Sequence, residues 1–337
     1  MPNPIKLMMA SAVGKVPPEY FLFTWGTAAE GQLGNNTAGF AVFSSPVQIG
    51  AAEWVTHGWA GNTSVGIKTE YTAWGWGDNS SFGTVGIGTK VDVSSPTQIG
   101  SLTTWTEGPA GGFSTTSGAF GAIQSGKLFM WGQGGGGKLG VGNVLNYSSP
   151  VQVGSLTTWD NFSQGDNFTG AVDTAGKLWT WGANSHGALG HGDVVQRSSP
   201  TQVGSLTNWS QIRMSENHAM ALKTDGTLWG WGDNGGGWLG LGNTTTYSSP
   251  VQIGSLTTWD NFDTSEQGAI AIKTDGTMWS WGSGAEGRSG QSDILEKSSP
   301  VQIGSLTDWS TCSLGGKLGS AIKTDGTLWN WGSHYYA

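Results

Sequence analysis

The stretch "HAMALKTDGTLWGWGDNGGGWLGLGN" at residues 218–243 decides the fold. Its Asp225-Gly226 pair is a strong hairpin signal between two short runs, "HAMALK" and "TLWGWG",. Alternation in the second run puts Trp229 and Trp231 on one face of a strand,. A Gly-rich loop follows, and no stretch of the chain carries a convincing helical period,.

Working outward, the pattern recurs in register. Trp-Gly occurs seven times, at Trp25, Trp76, Trp131, Trp181, Trp231, Trp281 and Trp331. Ser-Ser-Pro, then Val or Thr, Gln, Ile or Val, and Gly, occurs six times, with prolines at 46, 96, 150, 200, 250 and 300. A period near fifty residues is the signature of a repeat architecture. Each repeat reads as a proline strand, a strand after the Trp of "SLTTW", a strand ending in "AIK", and the "TLWxWG" strand. Four-stranded units repeated around an axis make an all-β protein, a single β-propeller of four-stranded blades.

The strand tally favours six blades. Six full sets leave one Trp-Gly strand over; the competing count is seven blades, with residues 1–19 helping to fill an incomplete one. The expected division is an extension or tether over residues 1–19 and the propeller over 20–337. The closing copy "TLWNWG" (327–332) follows a two-residue hairpin, so it is expected to hold the place beside the last "AIK" strand,. That leaves the opening strand "YFLFTWG" (20–26), with Tyr20, Phe21, Phe23 and Trp25, for assembly with a neighbour,.

These motifs carry a family resemblance. The quoted stretch and the weaker "FTWGTAAEGQLGNN" at residues 23–36 resemble repeats of the regulator of chromosome condensation family, and the likeness runs over residues 20–332. The resemblance implies a propeller of seven blades, closed by an N-terminal strand. The chain departs from it at the turn histidine, present only as His218; the equivalent places hold Thr63, Ala119, Phe168, Gly268 and Leu318. Nucleotide exchange on a small nuclear GTPase with chromatin docking, the family's best-known activity, is disfavoured: the four-residue excess in the 96–150 interval is too little for an inserted wedge, and no basic tail is present to hold DNA.

Charged residues are 11% of the chain, against roughly 25% in an average globular protein, and the net charge is −8,. With no basic cluster, a nucleic-acid partner is not expected,. Cys312 is the single cysteine, so neither an intrachain disulfide nor a thiolate metal site is available,. His186, His191 and Asp193 share one Gly-rich loop, but their spacing is no recognised ligand pattern,. No apolar run approaches the ~20 residues of a membrane helix, and "KLMMASAVG" makes a poor signal peptide,.

Nothing in the chain resembles a catalytic motif, so no enzyme and no cofactor are expected. Two loop sets vary on a near-identical scaffold, where binding residues concentrate. Aromatic residues dominate recognition energies, which selects Trp59, Phe113, Phe168, His218 and Trp238 as binding candidates,. The expected function is a non-enzymatic structural or adhesive propeller that binds a protein in a larger assembly, or a surface glycan. The "SSPVQIGSLTxW" style resembles bacteriophage virion proteins, which implies a virion location; a secreted or cell-surface location is the alternative. The alternative function is a protein-binding inhibitor or regulatory propeller.

Overall fold

In the computed structural model of the chain, residues 21–39, 41–50, 54–105 and 118–333 are described. The expected tether over residues 1–19 lies outside them. The described residues hold twenty-four strands and two single-turn 3-10 helices, and none of these is long or apolar enough to cross a membrane as a helix.

The chain divides into two compact units, residues 2–167 with 197–200, and residues 168–196 with 201–337. In the first unit, β1 (Phe23–Thr27) and β2 (Val42–Gln48) form a two-stranded sheet. β3 (Trp54–Ala60), β4 (Thr63–Lys68), β5 (Ala73–Gly77) and β6 (Val93–Gln98) form the next, in sequence order. β7 (Ala119–Gln124), β8 (Lys127–Gly132) and β9 (Tyr147–Gln152) form the third, and Trp105 adds an isolated bridge to Gln124. β10 (Trp159–Gln164), β11 (Phe168–Asp173), β12 (Leu178–Gly182) and β13 (Arg197–Gln202) make the four-stranded sheet in which the chain passes from one unit to the other.

The second unit continues with the sheet of β14 (Trp209–Met214), β15 (His218–Lys223), β16 (Leu228–Gly232) and β17 (Tyr247–Gln252). The same order recurs in β18 (Trp259–Ser265), β19 (Gly268–Lys273), β20 (Met278–Gly282) and β21 (Lys297–Gln302). β22 (Trp309–Leu314), β23 (Leu318–Lys323) and β24 (Leu328–Gly332) form the last sheet, with three strands. Each of the seven sheets thus owns one Trp-Gly strand, and the proline strand comes last in its sheet. The leftover Trp-Gly strand of the sequence tally is β1, paired with β2, while β24 holds the place beside β23.

The repeated residues explain the strands. The "KTDG" turn is a three-residue loop rather than the two-residue hairpin expected: Lys223 N–H donates to Thr227 O (3.0 Å) and Gly226, at φ +74°, donates to Lys223 O (3.0 Å),. Asp225 accepts from the Thr227 N–H (3.0 Å) and hydroxyl (2.6 Å), and that hydroxyl accepts from the Trp229 indole (2.9 Å). These hydrogen bonds hold the Asp225 carboxyl below the usual carboxylate range. The Lys223 ammonium lies 3.7 Å from the Trp229 ring centroid and 4.7 Å from that of Trp209. Such a contact is worth about 1–2 kcal/mol when partly desolvated. Asp275, Thr277, Trp279 and Lys273 repeat the arrangement fifty residues later.

A second set of contacts locks each sheet onto the next within a unit. The Trp-Gly indole donates to the carbonyl of residue x in the G-x-L-G loop of the preceding sheet (Gly-Thr-Val-Gly at 83–86, Gly-Arg-Ser-Gly at 287–290): Trp76 to Gln32 (3.0 Å), Trp131 to Thr84 (2.9 Å), Trp231 to Ala188 (2.8 Å), Trp281 to Trp238 (3.0 Å) and Trp331 to Arg288 (2.9 Å). The first glycine of that loop presses on the first serine of the following proline strand. A Cβ on Gly237 would stand 2.7 Å from Ser298 Cα, closer than a side chain permits, so only glycine fits,. Because sheets are covered on both faces, β15 and β19 are buried along their whole length,.

Candidate functional site

The positions where the repeats differ lie at one place in each sheet, opposite the Trp-Gly glycine. Register pairs Thr63 with Gly77, Ala119 with Gly132, Phe168 with Gly182, His218 with Gly232, Gly268 with Gly282 and Leu318 with Gly332. In several sheets the neighbour of this position is residue x of the G-x-L-G loop, whose carbonyl serves the scaffold and whose side chain is free to vary. Thr63 Oγ1 lies 3.0 Å from Thr84 Oγ1, Phe168 and Ala188 share one core cluster, and His218 stacks on Trp238. In the sheets where the strand residue is small, residue x is a buried cation. Lys138 Nζ donates to Gln133 Oε1 (2.8 Å) and Asp166 O (3.0 Å), and Arg288 Nη1 donates to Gln267 Oε1 (3.0 Å). Burial lowers the Lys138 ammonium to about 8, against an opposing pull from Asp166.

The second unit carries the most developed of these places. Thr264 Oγ1 donates to Gly268 O (3.1 Å), so at 2.8 Å it accepts from His218 Nε2, which fixes the Nε2–H tautomer,. The imidazole is fully buried, and burial lowers it to about 4 despite the opposing charge of Asp233, so it is neutral at pH 7. Its ring lies 6.3 Å from the Trp238 centroid at 30°. Trp238 is half-buried.

A buried carboxylate runs beside this pair. Asp263 Oδ2 accepts from Ser313 Oγ (2.9 Å) and Leu314 N (3.0 Å), and Oδ1 lies 3.9 Å from Arg213 Nε. Positions 213, 263 and 313 are equivalent, so this network ties three successive strands, β14, β18 and β22. All its groups are engaged in packing, so the arrangement offers a rigid platform rather than a proton-transfer pair.

The sequence candidates separate sharply. Phe168 is 2% exposed and lies in the core with Ile212 and Met214, so it presents no contact surface. His218 is likewise interior and acts by holding Trp238. Trp238 alone among the described binding candidates reaches the surface. Phe113 and Tyr20 lie outside the described residues; Trp59 stands in β3, but its side chain lies outside them too. In the opening strand, Phe21 (45% exposed), Phe23 (46%) and Trp25 (40%) line one face, while Leu22 between them is buried. Of the histidines, His191 turns to Thr180 Oγ1 (3.0 Å), and the described residues hold no group of three potential metal ligands.

One surface feature escaped the sequence reading. The aliphatic pairs Val144/Leu145, Val194/Val195 and Ile294/Leu295 stand exposed in the loops before their proline strands. A hydrophobic pair recurring at one offset inside a polar loop is the signal that could have found them.

The comparisons with known proteins agree with this architecture. The Regulator of chromosome condensation (RCC1) repeat matches residues 125–172, 175–222 and 225–260, and a second form of it matches residues 209–237. No curated protein matches the chain significantly in sequence. Prp20p from Saccharomyces cerevisiae, whose structure is described with its binding to Gsp1p and histones, superposes at a TM-score of 0.74 with 19% identity, over 92% of this chain and 80% of its own. Human WBSCR16 superposes at 0.75 with 18% identity, over 93% and 88%. The fold is an RCC1-type β-propeller, and RCC1 repeats are matched within residues 125–260.

Proposed function

We propose that the chain is a non-enzymatic, protein-binding propeller that attaches to a larger assembly through its opening strand. The observation that carries this reading is the aromatic stripe of β1. Its Trp25 is 40% exposed, whereas the equivalent Trp76, Trp131, Trp181, Trp231 and Trp281 are 0–1% exposed. Trp76, Trp131, Trp231 and Trp281 donate to a loop of the preceding sheet, whereas Trp25, Phe21 and Phe23 face outward. A contiguous aromatic face is a surface suited to another protein. Trp238 gives a further contact for a protein partner, or for a glycan stacked on its indole.

The assembly in this proposal is a bacteriophage particle, on the strength of the likeness in the "SSPVQIGSLTxW" segments. Binding to Gsp1p or histones, described for Prp20p, is not carried over at 19% identity. The test is quantitative mass spectrometry of purified particles carrying wild-type chain or the double variant Phe21→Ser/Phe23→Ser. Incorporation of the wild type and loss of the variant, with melting temperatures within a few degrees, supports the reading. Wild-type chain missing from particles overturns the location, and equal incorporation of both overturns the attachment role.

A further inference from the structure

The loop after each Trp-Gly strand holds two positions that the repeats fill differently: the residue that follows Trp-Gly, and residue x of the G-x-L-G segment. The backbone sets the equivalence between sheets, since Gln133 N–H donates to Gly118 O and Asp233 N–H to Asn217 O, both at 2.9 Å. In the sheet of β7–β9 the pair is Gln133 and Lys138, and Lys138 Nζ donates to Gln133 Oε1 at 2.8 Å. In the sheet of β14–β17 the acceptor position holds a full carboxylate, Asp233, while x is Trp238 and supplies no cation.

The carboxylate and the indole stand side by side. Asp233 Oδ1 accepts from Gly235 N–H (3.1 Å), which fixes the carboxyl against its loop. A Cβ on the exposed Gly235 would lie 3.6 Å from Asp233 Oδ1 and 3.9 Å from Trp238 Cη2, so the two groups flank a bare glycine. A Cβ on Gly236 would collide with Trp238 Nε1, so the indole lies across a second bare glycine. His218, neutral at pH 7, stacks on the ring and brings no charge of its own. Among the described residues no cation lies over Trp238, and Asp233 Oδ2 takes no hydrogen bond. The cations of β14 and of the next two sheets are engaged elsewhere: Arg213 with Asp263, Arg288 with Gln267 and Lys317 with Glu286.

The chain itself shows what this pairing of groups takes. Lys223 places its ammonium 3.7 Å from the Trp229 centroid beside Asp225, and Lys273 places its own 3.5 Å from the Trp279 centroid beside Asp275. A carboxylate at the edge of an indole adds ionic attraction to that of the ring quadrupole. We infer that Trp238 and Asp233 form a surface site for a primary ammonium group, delivered as a lysine side chain of a partner protein. A sugar would also stack on the indole, but it would leave the Asp233 charge without a counter-ion. The cation site stands on this geometry; lysine as its source rests on the protein-binding reading proposed above.

The test is fluorine NMR of the full chain carrying fluorotryptophan, with the Trp238 resonance identified by its loss in Trp238→Phe. The probes are acetyl-lysine methylamide, its neutral norleucine analogue, butylammonium and methyl glucoside. A saturable shift of the Trp238 resonance is expected with the lysine probe and none with the norleucine probe. Asp233→Asn, which keeps an oxygen for Gly235 N–H, should weaken the lysine probe about threefold to fivefold, the range of an exposed ion pair. No shift with the lysine probe, an equal response to norleucine, or unchanged affinity in Asp233→Asn overturns the inference. A response to the glucoside alone assigns a glycan and overturns it, and a response to butylammonium without the lysine probe overturns lysine as the source. The probes need no particle, so failure here leaves attachment through β1 standing, and failure of that attachment leaves this site standing.

Discussion

Replacing Trp231 with Phe isolates the lock between successive sheets. The indole is fully buried and its N–H donates to Ala188 O at 2.8 Å. Phe keeps an aromatic ring in place but leaves that carbonyl without its donor, at about 1–3 kcal/mol for a buried group. The lost ring atoms add about 1–2 kcal/mol of transfer and cavity energy. The sum is about 3 kcal/mol. Trp331→Phe is the internal control: its hydrogen bond to Arg288 O (2.9 Å) is the same, but it belongs to the half-exposed last sheet. There the cost should fall to less than half, because water can solvate the released carbonyl. Urea unfolding followed by far-ultraviolet circular dichroism measures both. A cost below about 1 kcal/mol for Trp231→Phe, or equal costs at the two positions, would refute the reasoning.

Three further outcomes follow from the same contacts. Lys223→Met should destabilise by about 1 kcal/mol through loss of its cation–π contacts, and Lys323→Met by less, since its ammonium stands 5.0 and 5.4 Å from its rings; thermal melts rank the two. Lys138 is lowered to about 8 from 10.5, so between these values the unfolded chain binds more protons and stability rises with pH, by on the order of 3 kcal/mol; Lys138→Met should flatten that rise in urea titrations at pH 7.5 to 10.5,. His218 is lowered to about 4 from 6.5, so its stabilisation is complete above pH 6.5 and is lost as pH falls towards 4; His57, lowered to the same value, shares the window, and His218→Gln should remove part of the loss,.

The strands were legible because the chain repeats its own packing chemistry. Lys, Asp, Thr and Trp of "KTDGTLW" each have a partner inside the repeat, so local sequence carries the contact. The phase of the repeat was not legible. A period of fifty looks the same wherever counting starts, and only the pairing of Trp229 with Gln252 shows that the proline strand ends its sheet. The binding candidates failed for a related reason. Phe168 and His218 begin strands buried on both faces, so no alternation distinguishes an inward aromatic from an outward one,. Trp238 was recoverable because it stands in a glycine loop, outside any strand. Strand counting singled out the opening strand, and its Phe21, Phe23 and Trp25 stand exposed.

The attachment claim is tested most directly by a photo-crosslinking residue placed at Phe23, and separately at Val194, in chain assembled with its native particle. The account predicts a covalent adduct to one particle protein from position 23 and little from position 194, which lies in an exposed loop of the other compact unit. Adducts from position 194 with none from position 23 would contradict it.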